Sequence, residues 1–139
     1  MICCREKFGP PEDPSEAAGE WGSYLCDLPL KTFESAAAFI RDTVKPDAMI
    51  WTGDIVPHDQ YNLDETEAEL YQSTVSKLFH DYFYEEFPIF PIMGNHDFQN
   101  LNSEDFLEID PMLSFDAEQW KDYLEPEAAE MLATRGFWI

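Results

Sequence analysis

An α/β fold with parallel strands joined by crossover helices is what this 139-residue sequence predicts, and three observations predict it. Two apolar runs, residues 47–52 and 88–93, have the length of short buried strands. Each runs straight into a loop that opens on glycine and carries acids and a histidine: Gly53-Asp54 with Pro57-His58-Asp59, and Gly94-Asn95-His96-Asp97. Between them lies a stretch with the period of one helix face, the crossover that parallel strands need.

Residues 1–28 hold Gly9-Pro10-Pro11, Pro14, Gly19 and Gly22, a density of breakers that makes an irregular leader loop. From Leu30 the apolar positions Leu30, Phe33, Ala37, Ile40 and Val44 repeat at helical spacing. That helix stops before Pro46, because the residue preceding a proline is pushed out of the helical region. Residues 47–52 then form the first strand, ended by Gly53. Thr66-Glu67-Ala68-Glu69 has the form of a capping box and starts a second helix, whose apolar side is Leu70, Tyr71, Val75, Leu78, Phe79, Tyr82 and Phe83. The two prolines of residues 88–93 put the second strand near an edge or at positions outside the ladder. Residues 98–115 read as a polar loop with Glu104, Asp105, Glu108 and Asp110. One or two short helices follow between Asp116 and Ala133, jointed at Glu125-Pro126, and Gly136-Phe137-Trp138-Ile139 reads as the opening of another strand. There is no internal repeat, so the chain is one domain or part of one.

A 45% hydrophobic, 15% aromatic composition is that of a globular protein. Against 8 basic residues stand 29 acidic ones, for a formal charge of −21. That balance argues against nucleic acid, and against anionic membrane gripped through a basic surface. Most of these carboxylates form a solvated, self-repelling surface, which an acidic compartment would partly neutralise. No apolar run reaches the roughly 18 residues of a membrane span, and no apolar segment follows residues 1–7 to make a signal peptide. Cys3, Cys4 and Cys26 make an odd count. In a reducing compartment they are three thiols; in a secretory one, Cys4 to Cys26 is the bridge, contributing about 3 kcal/mol and leaving Cys3 over.

The chemistry lies in the two loops. Two divalent ions about 3.5–4 Å apart need a ligand that touches both, and a carboxylate can. Asp54, turned into the cleft by Gly53, is the candidate bridge. Asn95 offers an amide oxygen to one ion. His96 points a different way from its neighbour in an extended loop and is the candidate general acid, histidine being an effective proton donor at mildly acidic pH. His58 has three open roles: assisting the leaving group, bonding to a metal ligand, or a structural bond to backbone. His80 reads as a solvated helix position. Nucleophilic catalysis has little support, since there is no Gly-x-Ser-x-Gly elbow and the cysteines sit apart from both loops.

Together these residues resemble the calcineurin-like metallophosphoesterases, and more narrowly their acid sphingomyelinase branch. The narrower likeness uses Cys3-Cys4-Arg5, Gly19-Glu20-Trp21-Gly22, Cys26-Asp27-Leu28-Pro29, Trp51-Thr52-Gly53-Asp54 with Pro57-His58-Asp59, Phe90-Pro91 before Gly94-Asn95-His96-Asp97, and Arg135-Gly136-Phe137, in the family's order across nearly the whole chain. The resemblance implies part of the family's α/β sandwich and a hydrolase using two Zn2+ ions to split sphingomyelin into ceramide and phosphocholine. It implies a lysosomal or extracellular setting and peripheral membrane contact. By position, Asp54 bridges both ions, Asn95 binds one, and His96, assisted by His58, protonates the leaving oxygen; water is the nucleophile and no covalent intermediate forms. Cys4 and Cys26 match a family disulfide, and Cys3 a cysteine whose partner lies upstream. The family's site also uses an Asp-x-His on an earlier strand and histidines in later Gly-His motifs, and neither occurs in this sequence. The expectation is therefore the central part of a catalytic domain, with residues 1–28 as leader, 29–139 as the α/β segment and no saposin-like domain, inactive by itself. The alternatives are a nucleotide or polyphosphate phosphoesterase of the same superfamily, or an inactive interaction fragment.

Overall fold

In the computed structural model, residues 9–58, 63–98 and 109–139 are described. Strand β1 (Met49–Trp51) and strand β2 (Ile89–Pro91) pair in parallel, Met49 opposite Ile89 and Trp51 opposite Pro91. The ladder continues past the strands, where Ile92 N–H donates to Trp51 O at 2.8 Å. As the sequence predicts, the crossover is a helix, α2 (Glu65–Phe83). The loops after the two strands therefore leave the same end of the sheet, which is what brings the candidate residues together.

Helix α1 (Leu30–Phe39) runs on into a wider π-turn over Ile40–Val44 and ends at Lys45, in a left-handed conformation (φ 49°) directly before Pro46. The stop falls where the proline predicts it. Of its predicted apolar face Ala37 is buried; Leu30, the first residue of the helix, is exposed, and so is Val44, which the π-turn rotates off the 3.6-residue register. Helix α2 starts two residues earlier than its predicted Thr66 cap. Asp64 is the N-cap and Glu67 closes the capping box, so Asp64-x-x-Glu67 wins over Thr66-x-x-Glu69. Its buried side is Leu78, Phe79 and Phe83 with the polar Gln72 and Ser76, and the predicted Leu70 is exposed.

Helix α3 (Pro111–Gln119) begins five residues before the predicted Asp116, for Asp110 caps Met112 N–H and Pro111 takes the first turn, where a missing N–H costs nothing. Glu104, Asp105 and Glu108 lie outside the described residues. Helix α4 (Pro126–Arg135) starts at the predicted Glu125-Pro126 joint and ends on Gly136 in the left-handed region (φ 73°). Residues 137–139 are not the predicted strand. Trp138 instead donates its Nε1–H to Pro91 O at 2.9 Å and stacks on Phe90.

The core is aromatic. Trp51 stacks on Phe79 (ring centroids 4.0 Å apart) and tilts against Trp120 (5.2 Å), which is fully buried and donates its Nε1–H to Ser76 Oγ. Because Trp51 ends β1, this cluster anchors the backbone two residues ahead of Gly53 and three ahead of Asp54. The sheet is buried on one face only: Ile50 and Phe90, paired in register on the other, are exposed, which corrects the reading of both strands as fully buried. The leader region, residues 9–28, holds a single 3-10 turn, Pro14–Glu16, and a bridge between Gly19 and Gly22.

Candidate active site

At the end of β1 the chain turns through two consecutive left-handed residues, Gly53 (φ 70°) and Asp54 (φ 59°). Glycine takes that conformation freely; for Asp54 it costs about 1 kcal/mol, tolerable for a short polar side chain. The strained turn is held from the other loop. Asp97, 1% exposed, accepts Asp54 N–H and Gly94 N–H on Oδ2 and Ile55 N–H on Oδ1, each at 2.8 Å. In return, Asp54 Oδ1 accepts His96 N–H at 3.1 Å. The two loops are thus cross-stitched by one carboxylate from each side.

Close approach fixes the glycines. A Cβ at Gly94 would fall under 3.0 Å from the N and Oδ1 of Asp54, and one at Gly53 would collide with Gly94 N and Asp97 Oδ2. Burial pushes the Asp97 carboxyl above its ordinary range, and the N–H donors of Gly94, Ile55 and Asp54 oppose that rise. Gln72 of α2, fully buried, approaches the same carboxylate, yet neither of its amide atoms makes a hydrogen bond of good geometry.

Asp54 and Asn95 are exposed, while His96 is half-buried. The His58 and His96 rings lie 4.9 Å apart between centroids, tilted by 59°. Of the three roles open to His58 from sequence, the structure shows a fourth connection: its Nδ1 lies 2.5 Å from Asp27 Oδ1, and its backbone N–H donates to Asp27 Oδ2 at 3.2 Å. Asp54 thus faces the loop of Asn95 and His96, and the His58 ring lies against that of His96. His80 stands apart, half-exposed, with Nε2 3.3 Å from Asp122 and its ring stacked on Tyr84. Cys26 is disulfide-bonded, and Cys4, its expected partner, lies outside the described residues.

Two functional residues were missed by the sequence reading, although both stand inside quoted runs: Asp97, which assembles the loops, and Asp27, which holds His58. The signal in each case was an acid beside a candidate, and only the fold shows which partner it meets.

A carboxylate and an amide oxygen, both hard and both exposed, suit a divalent cation in kind. In number the set is short, since two side chains do not complete a four-coordinate site, and among the described residues no cluster of three or more His, Cys, Asp or Glu is present.

Paired loops thus leave the carboxyl ends of parallel strands, with Asp54 over one and Asn95-His96 over the other. Residues 27–135 match the calcineurin-like phosphoesterase family, and the chain belongs to it. Membership implies the use of divalent metal. Within that family, the chain is 33% identical over 144 aligned positions to sphingomyelin phosphodiesterase of Homo sapiens, covering 99% of this chain and 23% of the relative. Sphingomyelin phosphodiesterase B of Dictyostelium discoideum is 38% identical over 104 positions, 73% of this chain and 16% of the relative. Acid sphingomyelinase-like phosphodiesterase 3b of Homo sapiens is 29% identical, covering 90% of this chain and 28% of the relative. The chain therefore spans less than a third of the length of these relatives.

Proposed function

We propose that the protein hydrolyses a phosphodiester lipid, sphingomyelin, to ceramide and phosphocholine, and that these residues are the central part of its catalytic domain, with further ligands supplied from beyond the described residues. The observation that carries this reading is the reciprocal stitching of the loops by Asp97 and Asp54, which holds the loop of Asp54 against the loop of Asn95 and His96. The names of the relatives supply the substrate.

Asp54, the candidate shared ligand, and Asn95 would hold the metal, which is zinc in this reading. Bound ions would polarise the phosphoryl group and make water a competent nucleophile at the working pH. When the bond from phosphorus to the lipid oxygen breaks, that oxygen needs a proton, and His96 would give it. His58, within ring contact of His96, assists that transfer. The formal charge of −21 disfavours nucleotide or polyphosphate substrates, which would be repelled on approach. A lysosomal or extracellular location, with a Cys4–Cys26 bridge, completes the proposal. Contact with the lipid surface is peripheral in this reading; no helix among the described residues is long and apolar enough to cross a membrane.

The test is to express the protein from its full reading frame and assay sphingomyelin, a nucleoside triphosphate and polyphosphate before and after chelation. Sphingomyelin hydrolysis that disappears with the chelator and returns with zinc is the expected result. Turnover of the nucleotide or polyphosphate instead, or none at all with zinc restored, would overturn the substrate and the activity respectively.

A further inference from the structure

Asp27 comes from the leader region, 31 residues before His58, yet makes two contacts to it. One carboxylate oxygen lies 2.5 Å from His58 Nδ1 and the other accepts the His58 backbone N–H at 3.2 Å. An ionised carboxylate only accepts, so the Nδ1 beside it carries the proton. That leaves Nε2 as the ring atom through which His58 exchanges a proton; the contact at Nδ1 orients the ring, while the bond from the backbone N–H holds the carboxylate in place. The pair stands beside the candidate acid, because the same His58 ring packs 4.9 Å from the His96 ring. His58 is 57% exposed and Asp27 32%, so Coulomb attraction is weak there and the contribution of Asp27 is orientation and tautomer.

We infer that Asp27 is a positioning residue for His58, holding the Nδ1–H tautomer and the ring orientation from which Nε2 serves the acid step at His96. This rests on the proposed hydrolase for its consequence in turnover, but not for the tautomer. Asp27 anchors His58 as carboxylates anchor imidazoles at many catalytic and metal sites, through the nitrogen not used in the chemistry. It also ties the leader region into the cleft, so residues far from the loops in sequence take part in the site.

The experiment has two readouts on the same variants, Asp27→Asn and Asp27→Glu, made alone and with His58→Ala. First, 15N chemical shifts of labelled His58 in the neutral form report the tautomer. Wild type is expected to be mainly Nδ1–H, and Asp27→Asn to move towards Nε2–H. Second, in the active protein, Asp27→Asn is expected to lower kcat roughly 10- to 100-fold with KM little changed. Asp27→Glu recovers part of the loss, and Asp27→Asn costs nothing further once His58 is alanine. A wild-type His58 that is mainly Nε2–H overturns the inference whether or not the protein is a hydrolase. So does an Asp27→Asn loss of the same size in the His58→Ala background, which marks a structural role. A wild type inactive on every phosphodiester refutes the proposed function alone, and the tautomer still decides the assignment of Asp27.

Discussion

Replacing Asp116 with asparagine should flatten the dependence of stability on pH. Asp116 sits on α3 with no exposed surface, and neither of its carboxylate oxygens has a hydrogen-bond partner among the described residues. Burial pushes its carboxyl up to about 8, and the charged groups that act on it, Asp97 and Asp110, are both acids that add to the rise. Between the ordinary value near 4 and about 8, the folded chain keeps a proton there that the unfolded chain has released. Stability is therefore lost as pH rises through that window and is flat above it. At about 1.4 kcal/mol per pH unit the ceiling is about 6 kcal/mol, and relaxation with entry of water reduces the observable part to about 2–3 kcal/mol. Asparagine has the same shape and no charge at any pH, so its unmet N–H groups impose a constant cost and the slope disappears. Asp97, whose carboxyl is also raised by burial, stays in both proteins and leaves a shared residual slope. Urea unfolding followed by tryptophan fluorescence reads this, Trp51 and Trp120 being buried reporters. At pH 5, 6, 7 and 8, wild type should lose about 2–3 kcal/mol more than the variant, at equal m values. Parallel pH curves for the two proteins would refute the buried, unpaired carboxyl.

Two further predictions concern the stitching of the loops. Gly94→Ala drives a methyl into the N and Oδ1 of Asp54, which the turn cannot yield without moving the loop; a destabilisation of about 1–3 kcal/mol and at least tenfold weaker zinc binding are expected, by denaturant titration and calorimetry. Asp97→Asn leaves one acceptor oxygen for three N–H donors; it should cost about 1–3 kcal/mol and speed hydrogen exchange at Asp54, Ile55 and Gly94, whereas unchanged exchange at all three amides would remove Asp97 from the account.

Much of the fold was legible because its signals are local. The 3–4 spacing from Leu30, the stop before Pro46, the Glu125-Pro126 joint and the two short strands all appear where the sequence puts them. The errors arose where two local signals competed or a partner was needed. Asp64 and Thr66 both precede a glutamate by three, and the earlier box starts the helix. Asp110-Pro111 is a cap followed by a first-turn proline, overlooked inside a polar stretch. Phe137-Trp138-Ile139 has strand composition, yet Trp138 spends its N–H on Pro91 O. At the site, Asp54, Asn95, His96 and His58 follow from residue type and position after a strand. The roles of Asp97 and Asp27 depend on contacts 43 and 31 residues apart, which periodicity cannot supply.

The central claim is that Asp54 holds metal while His96, on the facing loop, moves a proton. Bound zinc per chain and turnover of sphingomyelin, measured together on Asp54→Asn and His96→Gln of the full-length protein, separate the two roles. The account predicts that Asp54→Asn loses zinc and activity in parallel, while His96→Gln keeps its zinc and loses roughly 10²- to 10⁴-fold in kcat. An Asp54→Asn protein with wild-type zinc content and turnover would contradict it.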